Sequence, residues 1–177
     1  TPEPTPTPKP AIGTRTAPVG TLAGQVLSGA ARRSFSGATV AKGYPQSAHP
    51  YANNASDSWY YEVEDAQYLT ATFSTATNVE NGYDLIRLYD NQKNLLTFTD
   101  DSGNSFDSFT GSELAGRTLL IPSPGFYITL DTDSDGTDYG FAITQVQPKY
   151  IAAPTLAKVD QNGADSVYLT WSDRKSV

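Results

Sequence analysis

From Tyr44 onward, short apolar runs rich in aromatic and β-branched residues recur about every ten residues, separated by Asn, Asp, Gly, Ser and Pro. The separators favour turns through local hydrogen bonding and tolerance of positive φ. The candidate strands are Trp59–Val63, Tyr68–Phe73, Tyr83–Tyr89, Leu95–Thr99, Thr118–Ile121, Gly125–Leu130 and Gly140–Val146. Leu69, Ala71 and Phe73 alternate with polar residues, as do Phe126, Ile128 and Leu130. A period of two puts one face of a strand on a core and the other in water. No segment holds a helical period over three turns. The expected fold class is therefore all-β, an antiparallel β-sandwich.

Three regions follow from the changes in composition. Residues 1–43 read as a linker. TPEPTPTPKP at Thr1–Pro10 alternates proline through most of its length, which removes backbone donors and favours a disordered but semi-rigid polyproline spacer. Residues 11–43 are rich in Gly, Ala, Ser and Thr. They read as more linker or as a weak strand pair, Leu22–Leu27 and Phe35–Val40, about a turn near Gly29. Residues 44–148 carry the strand pattern and suffice for one core. Residues 149–177 place Pro154, Leu156 and Val159 before a turn at Asn162-Gly163, after which Val167, Leu169 and Trp171 alternate. That pattern resembles the first two strands of a fibronectin type III domain, truncated, with Trp171 as its buried tryptophan. Two strands alone bury too little to be stable.

Charge and residue types narrow the chemistry. The net charge of −7 is unevenly spread: Tyr44–Gln147 carries 15 acids and 3 bases (−12), and the flanks carry 4 acids and 9 bases (+5). An acidic centre repels phosphate backbones and concentrates cations, so nucleic acid is not expected as a partner. With no cysteine there is no disulfide framework, thiolate zinc site or cysteine nucleophile. A lone histidine, His49, supports neither a His-based zinc site nor a serine triad, and reads as a loop residue stacked beside Pro50 and Tyr51. No apolar run approaches a membrane span, so no membrane insertion is expected. The absence of methionine marks a fragment or a processed chain.

The stretch with the clearest chemistry is Asp131-Thr-Asp133-Ser-Asp135-Gly136-Thr-Asp138. Alternating carboxylates ending on a glycine supply oxygen ligands on a bent backbone, the environment that Ca²⁺ takes. Asp131, Asp133 and Asp135 match positions 1, 3 and 5 of an EF-hand loop, with Gly136 at position 6. The bidentate glutamate required at position 12 is Ala142, and the flanks read as strands, so a true EF-hand is rejected. Asp100, Asp101 and Asp107 in the loop Thr99–Ser108 read as solvated rather than as a second cation site.

Motifs in the central region give a resemblance. Ser47-Ala-His49-Pro50-Tyr51-Ala-Asn53-Asn54 precedes Trp59. Glu80-Asn-Gly82-Tyr83-Asp84-Leu-Ile86-Arg-Leu88-Tyr89-Asp90 is a Tyr-Asp strand led by a glutamate. Phe109-Thr-Gly111-Ser-Glu-Leu114-Ala-Gly116 links to later strands, and Asp133-Ser-Asp135-Gly136 runs into Tyr139-Gly140-Phe141. In order and spacing these resemble a CUB domain of the cysteine-free bacterial secreted type, over about Ser47 to Gln147. The family's paired cysteines are missing, and Glu80 precedes Asp84 by fewer residues than in disulfide-bonded members.

The resemblance implies a jelly-roll sandwich with one end that binds Ca²⁺. Glu80, Asp84 and Asp133 would be the carboxylate ligands, with backbone carbonyls near Asp135 and Gly136 and water completing the shell. Asp131 then becomes a strand-end residue. It further implies a non-catalytic, monomeric accessory module of a secreted or cell-surface bacterial multidomain protein, contacting a protein or glycan through calcium-ordered loops. The alternatives are a carbohydrate-binding module of an extracellular hydrolase with structural calcium, whose aromatics (Tyr51, Tyr60 or Tyr139) stack on sugar, or a structural spacer. Glu62 and Glu64, about 7 Å apart on one strand face, are better explained by an exposed sheet face than by glycoside hydrolysis. No phosphate loop, nucleophile elbow or His pair is present, so the chain is not expected to be an enzyme.

Overall fold

The computed structural model describes residues 11–151 and the strands Thr155–Gln161 and Val167–Ser172. The Thr1–Pro10 linker, the Asn162-Gly163 turn and the packing of Trp171 lie outside the described residues.

The fold is all-β. Ten strands precede the last two: β1 Leu22–Val26, β2 Thr39–Val40, β3 Ser56–Glu62, β4 Tyr68–Phe73, β5 Leu85–Asp90, β6 Leu96–Thr99, β7 Ser105–Phe106, β8 Thr118–Ile121, β9 Gly125–Asp131 and β10 Ile143–Lys149. They form a six-stranded sheet in the order β10-β4-β8-β1-β6-β7 and a four-stranded sheet in the order β2-β3-β9-β5. β11 (Thr155–Gln161) and β12 (Val167–Ser172) pair antiparallel, with Leu156 opposite Trp171 and Val159 opposite Leu169.

Period-two alternation builds the core between the sheets. Leu69, Ala71 and Phe73 from β4, Leu119 and Ile121 from β8, and Leu96 and Phe98 from β6 face Ile86 and Leu88 from β5 and Phe126, Ile128 and Leu130 from β9. All are essentially inaccessible to water. Trp59 and Tyr61 of β3 close one side, with Trp59 meeting Phe141 edge-on at 5.0 Å between ring centroids.

The observed strands correct the expectations in several places. The sandwich is mixed rather than wholly antiparallel, because β1 runs parallel to β8 and β2 parallel to β3. Residues 11–43 do not form a strand pair of their own. β1 lies between β6 and β8, with Leu22 fully buried, and β2 extends the four-stranded sheet beside β3. Two ion pairs fasten this flank, Arg15 to Glu113 and Arg33 to Asp131 at 2.8 Å. Arg15 and Arg33 of the basic flank thus lie on acidic partners in the centre.

Two-residue β7 falls in the supposed loop, where Phe106 enters the core. The last strand of the sandwich starts at Ile143 rather than Gly140, after the bridges Asn78–Gly140 and Gln46–Ala142. β3 ends at Glu62, so Glu62 and Glu64 do not share a strand face, and Glu62 Oε2 accepts a hydrogen bond from the Tyr60 hydroxyl at 2.5 Å.

Candidate metal centre

Carboxylate oxygens of Glu80, Asp84 and Asp133 come within 4.8 Å of one another at one end of the sandwich. Asp84 precedes β5, and Asp133 follows β9, its pairing partner. The short gap between Glu80 and Asp84 is spanned by a turn. The Asp84 N–H donates to the Glu80 carbonyl at 3.1 Å, and Gly82 adopts φ 86°. Thr110 braces the turn, its hydroxyl accepting from Gly82 N–H at 2.7 Å and donating to the Glu80 carbonyl at 3.1 Å.

Tyr51 sits beneath the cluster. Its ring is in the core and its hydroxyl donates to Asp84 Oδ2 at 2.5 Å while accepting from the Glu80 N–H at 2.9 Å. Asp84 Oδ1 accepts from the Asp133 N–H at 2.9 Å, so Asp84, with no exposed surface, links both loops. The 52–55 segment laces onto the Asp133 loop: Asn54 N–H to the Asp133 carbonyl at 2.6 Å, Asn53 Nδ2 to the Ser134 carbonyl at 3.2 Å, and Thr132 Oγ1 to the Ala52 carbonyl at 2.9 Å.

The electrostatics are those of carboxylates lacking a counter-charge. Burial, then the charges of Asp133, Asp84 and Asp135, raises the Glu80 carboxyl above its ordinary range. Burial also raises Asp84, with hydrogen bonds from Tyr51 and Asp133 opposing it and the Asp133 charge adding to it. The Tyr51 hydroxyl is pushed up by its own burial and by its bond to Asp84. Among the described residues, Glu80 Oε2 has no hydrogen-bond partner although it is buried. An orphaned carboxylate oxygen is costly unless a cation or proton meets it. An all-oxygen donor set suits a hard divalent cation. The residues therefore fit a metal ion, and Glu80, Asp84 and Asp133 are the group that could hold it.

Other predicted residues fall around this centre. Asp135 is exposed and does not join the converging oxygens; its N–H donates to Asp133 Oδ1 and its Oδ1 accepts from the Gly136 N–H, both at 3.0 Å. Gly136, at φ 68°, lies so close to Glu80 that a Cβ there would stand 2.6 Å from the carboxylate. Glycine is needed for both the bend and the approach.

Asp131 faces elsewhere, bonded by Arg33 at 2.8 and 3.0 Å and by the Ser56 hydroxyl at 2.6 Å, with Arg87 at 3.3 Å. Burial acts to raise its pKa, and these bonds and charges outweigh it, leaving Asp131 below the usual carboxylate range. Strands β9 and β10 flank the acidic loop, in keeping with the rejection of an EF-hand.

Asp100 is a turn former, its carboxylate accepting from the amides of Val19, Ser102 and Asn104 and from Asn104 Nδ2. His49 stacks on Tyr139 at 3.9 Å between ring centroids, rather than on Tyr51. Tyr51 was a candidate surface aromatic and is instead an internal brace of the cluster. No feature of the sequence outside the Pro50-Tyr51 motif marks that role, because it arises from the approach of two distant loops.

No family model matches the chain. A stretch of 99 residues, 56% of the chain, is 25% identical to part of the human zinc finger ZZ-type and EF-hand domain-containing protein 1, and spans 3% of that protein's length. Among the described residues, no helix is long and apolar enough to cross a membrane.

Proposed function

We propose that this chain is a calcium-binding, CUB-like accessory module, non-catalytic and monomeric, from a secreted or cell-surface bacterial multidomain protein. The observation that carries the reading is the convergence of Glu80, Asp84 and Asp133 with a buried Glu80 oxygen that has no partner among the described residues. These three carboxylates would hold Ca²⁺, and the backbone carbonyls of Asp135 and Gly136 with water would fill the shell. A bound ion would supply the missing positive charge and join the loop after Val79 to the loop after β9. The chain's own residues prepare that junction: Tyr51 orients Asp84, Thr110 fixes the Glu80 turn, and Asn54 fixes Asp133.

The ordered loops would then present a surface to a protein or glycan. The glycan reading, a carbohydrate-binding module with structural calcium, is favoured by the stacked His49–Tyr139 pair, which stands where the acidic loop ends. A glycan array with and without EDTA separates the two partner classes. Calcium-dependent sugar binding lost in Tyr139→Ala supports the carbohydrate module. Silence on glycans with calcium-dependent capture of a lysine-bearing protein ligand supports the protein-binding mode. Direct titration with Ca²⁺ tests the site itself, and a chain that takes up no ion refutes the proposal.

A further inference from the structure

The hairpin turns Asp90–Asn94 and Asp100–Asn104 are built alike. In the first, Asp90 Oδ1 accepts from the amides of Gln92 at 2.9 Å and Asn94 at 2.8 Å, and Oδ2 accepts from Asn94 Nδ2 at 2.9 Å. In the second, Asp100 makes the same three contacts with Ser102, Asn104 and Asn104 Nδ2 at 3.0, 2.8 and 3.1 Å. Each turn needs a left-handed residue before its asparagine. The second uses Gly103 at φ 83°, whereas the first uses Lys93 at φ 70°. Glycine adopts this conformation freely and lysine does so at a cost. Turn chemistry alone favours glycine at 93, so the lysine calls for another explanation.

Its surroundings supply one. The flank segment runs beside this turn: the Arg33 N–H donates to the Lys93 carbonyl at 3.2 Å, the Leu95 N–H donates to the Ala31 carbonyl at 2.8 Å, and Arg32 bridges Asn94. Arg32, Arg33, Ser34 and Lys93 line a cleft of about 350 Å³. The Arg33 guanidinium is engaged by Asp131. Arg32 donates to a neutral carbonyl, that of Gln92 at 2.8 Å, and the Lys93 amine lies over the Tyr127 ring at 5.9 Å. Among the described residues neither has a carboxylate within ion-pairing distance. Two cations without a carboxylate partner among the described residues, Arg32 and Lys93, thus stand beside the paired Arg33 on a domain whose centre carries a large negative charge. Next to these residues in the chain, Phe35 stacks flat on Tyr127, centroids 4.3 Å apart.

We infer that this cleft binds an oxyanion, the carboxylate, sulfate or phosphate group of a small polar ligand, through Arg32 and Lys93 with the Ser34 hydroxyl beside them. The depression is open to solvent and lined by only four residues, so it meets the anionic group and leaves the rest of the ligand outside. The site shares no residue with the carboxylate cluster and stands whether or not that cluster takes calcium.

Amide NMR titrations of the full chain with inorganic sulfate, inorganic phosphate and glucuronate distinguish the sources of the anion. The expected result is saturable shifts centred on Arg32, Ser34 and Lys93 with at least one probe, weakened by added salt. The double variant Arg32→Gln/Lys93→Gln should lose about tenfold in affinity, as removal of two exposed charges implies. Glu80→Gln should leave binding unchanged. Lys93→Gly should weaken binding while keeping Tm at or above the parent value, because glycine suits the turn better. The inference is overturned if none of the probes gives saturable shifts at these amides. It is equally overturned if Lys93→Gly or the double variant binds as the parent does, or if Lys42 and Lys149 respond as strongly.

Discussion

Tyr51→Phe isolates the brace under the carboxylate cluster. The substitution keeps the buried ring and deletes one oxygen, which donates to Asp84 at 2.5 Å and accepts from the Glu80 N–H at 2.9 Å. A hydrogen bond to a charged group contributes roughly 1.5–3 kcal/mol, and an amide left unpaired in a buried site costs about 1–3 kcal/mol. Some relaxation and water entry reduce the sum, so the expected loss is about 3 kcal/mol. For a chain of this size that lowers Tm by roughly 6–12 °C. Circular dichroism melts and urea titrations in EDTA measure the effect, with Tyr44→Phe, at an exposed position, as the control. Calcium affinity should also fall by about tenfold or more, because Asp84 and the Glu80 turn lose their common anchor. A Tyr51→Phe protein that melts within about 1 °C of the parent and binds calcium equally would refute the bracing argument.

Leu22→Ala should cost about 3 kcal/mol in urea unfolding, since the side chain is fully buried in a strand central to its sheet; an unchanged midpoint would return residues 11–43 to the status of a linker. Gly136→Ala places a methyl 2.6 Å from the Glu80 carboxylate at φ 68°, and should lower calcium affinity about tenfold by displacing Glu80, read by calorimetry. The pH dependence has a definite sign. Glu80 and Asp84 are raised in the fold, so the folded state holds protons that the unfolded chain has released, and metal-free stability falls as pH rises through that window. Melts in EDTA should show a higher Tm near about pH 5 than near about pH 7, followed by a decline below about pH 4 as Asp131, whose pKa is lowered, takes up its proton. Calcium affinity should show the opposite trend and rise with pH, because the ion competes with those protons. A metal-free Tm that climbs steadily from acid to neutral pH would contradict the assignment.

How much was legible in the sequence depended on whether side chains or distant backbone set each feature. β4 and β8 coincide with their sequence bounds because Leu69, Ala71, Phe73, Leu119 and Ile121 alternate cleanly. Leu22–Leu27 reads in the sequence only as linker or as one arm of a weak strand pair, because Leu22 is the only fully buried apolar side chain of β1 and its place in the sheet is specified by backbone pairing to β6 and β8. Parallel entry into the sheets is set by that long-range pairing and leaves no local signature. At the candidate site, Glu80, Asp84 and Asp133 were found through motif order, and the structure brings them together. Tyr51 was not recognised as a brace, since tyrosine serves as readily on a surface as in a core, and only the meeting of two loops decides which. Asp131 and Asp133 look equivalent in the acidic run. The end of β9 at Asp131 separates them, leaving one to Arg33 and the other to the cluster.

The central claim is that three carboxylates converge to hold one calcium ion. Isothermal titration of the EDTA-stripped, dialysed chain with Ca²⁺ tests it most directly, in parallel with Asp84→Asn and Asp133→Ala. The account predicts one ion per chain, an affinity lost in both variants, and at calcium a hundredfold above Kd a gain of about 2.7 kcal/mol in stability. No uptake at millimolar Ca²⁺, or uptake undiminished in both variants, would contradict it.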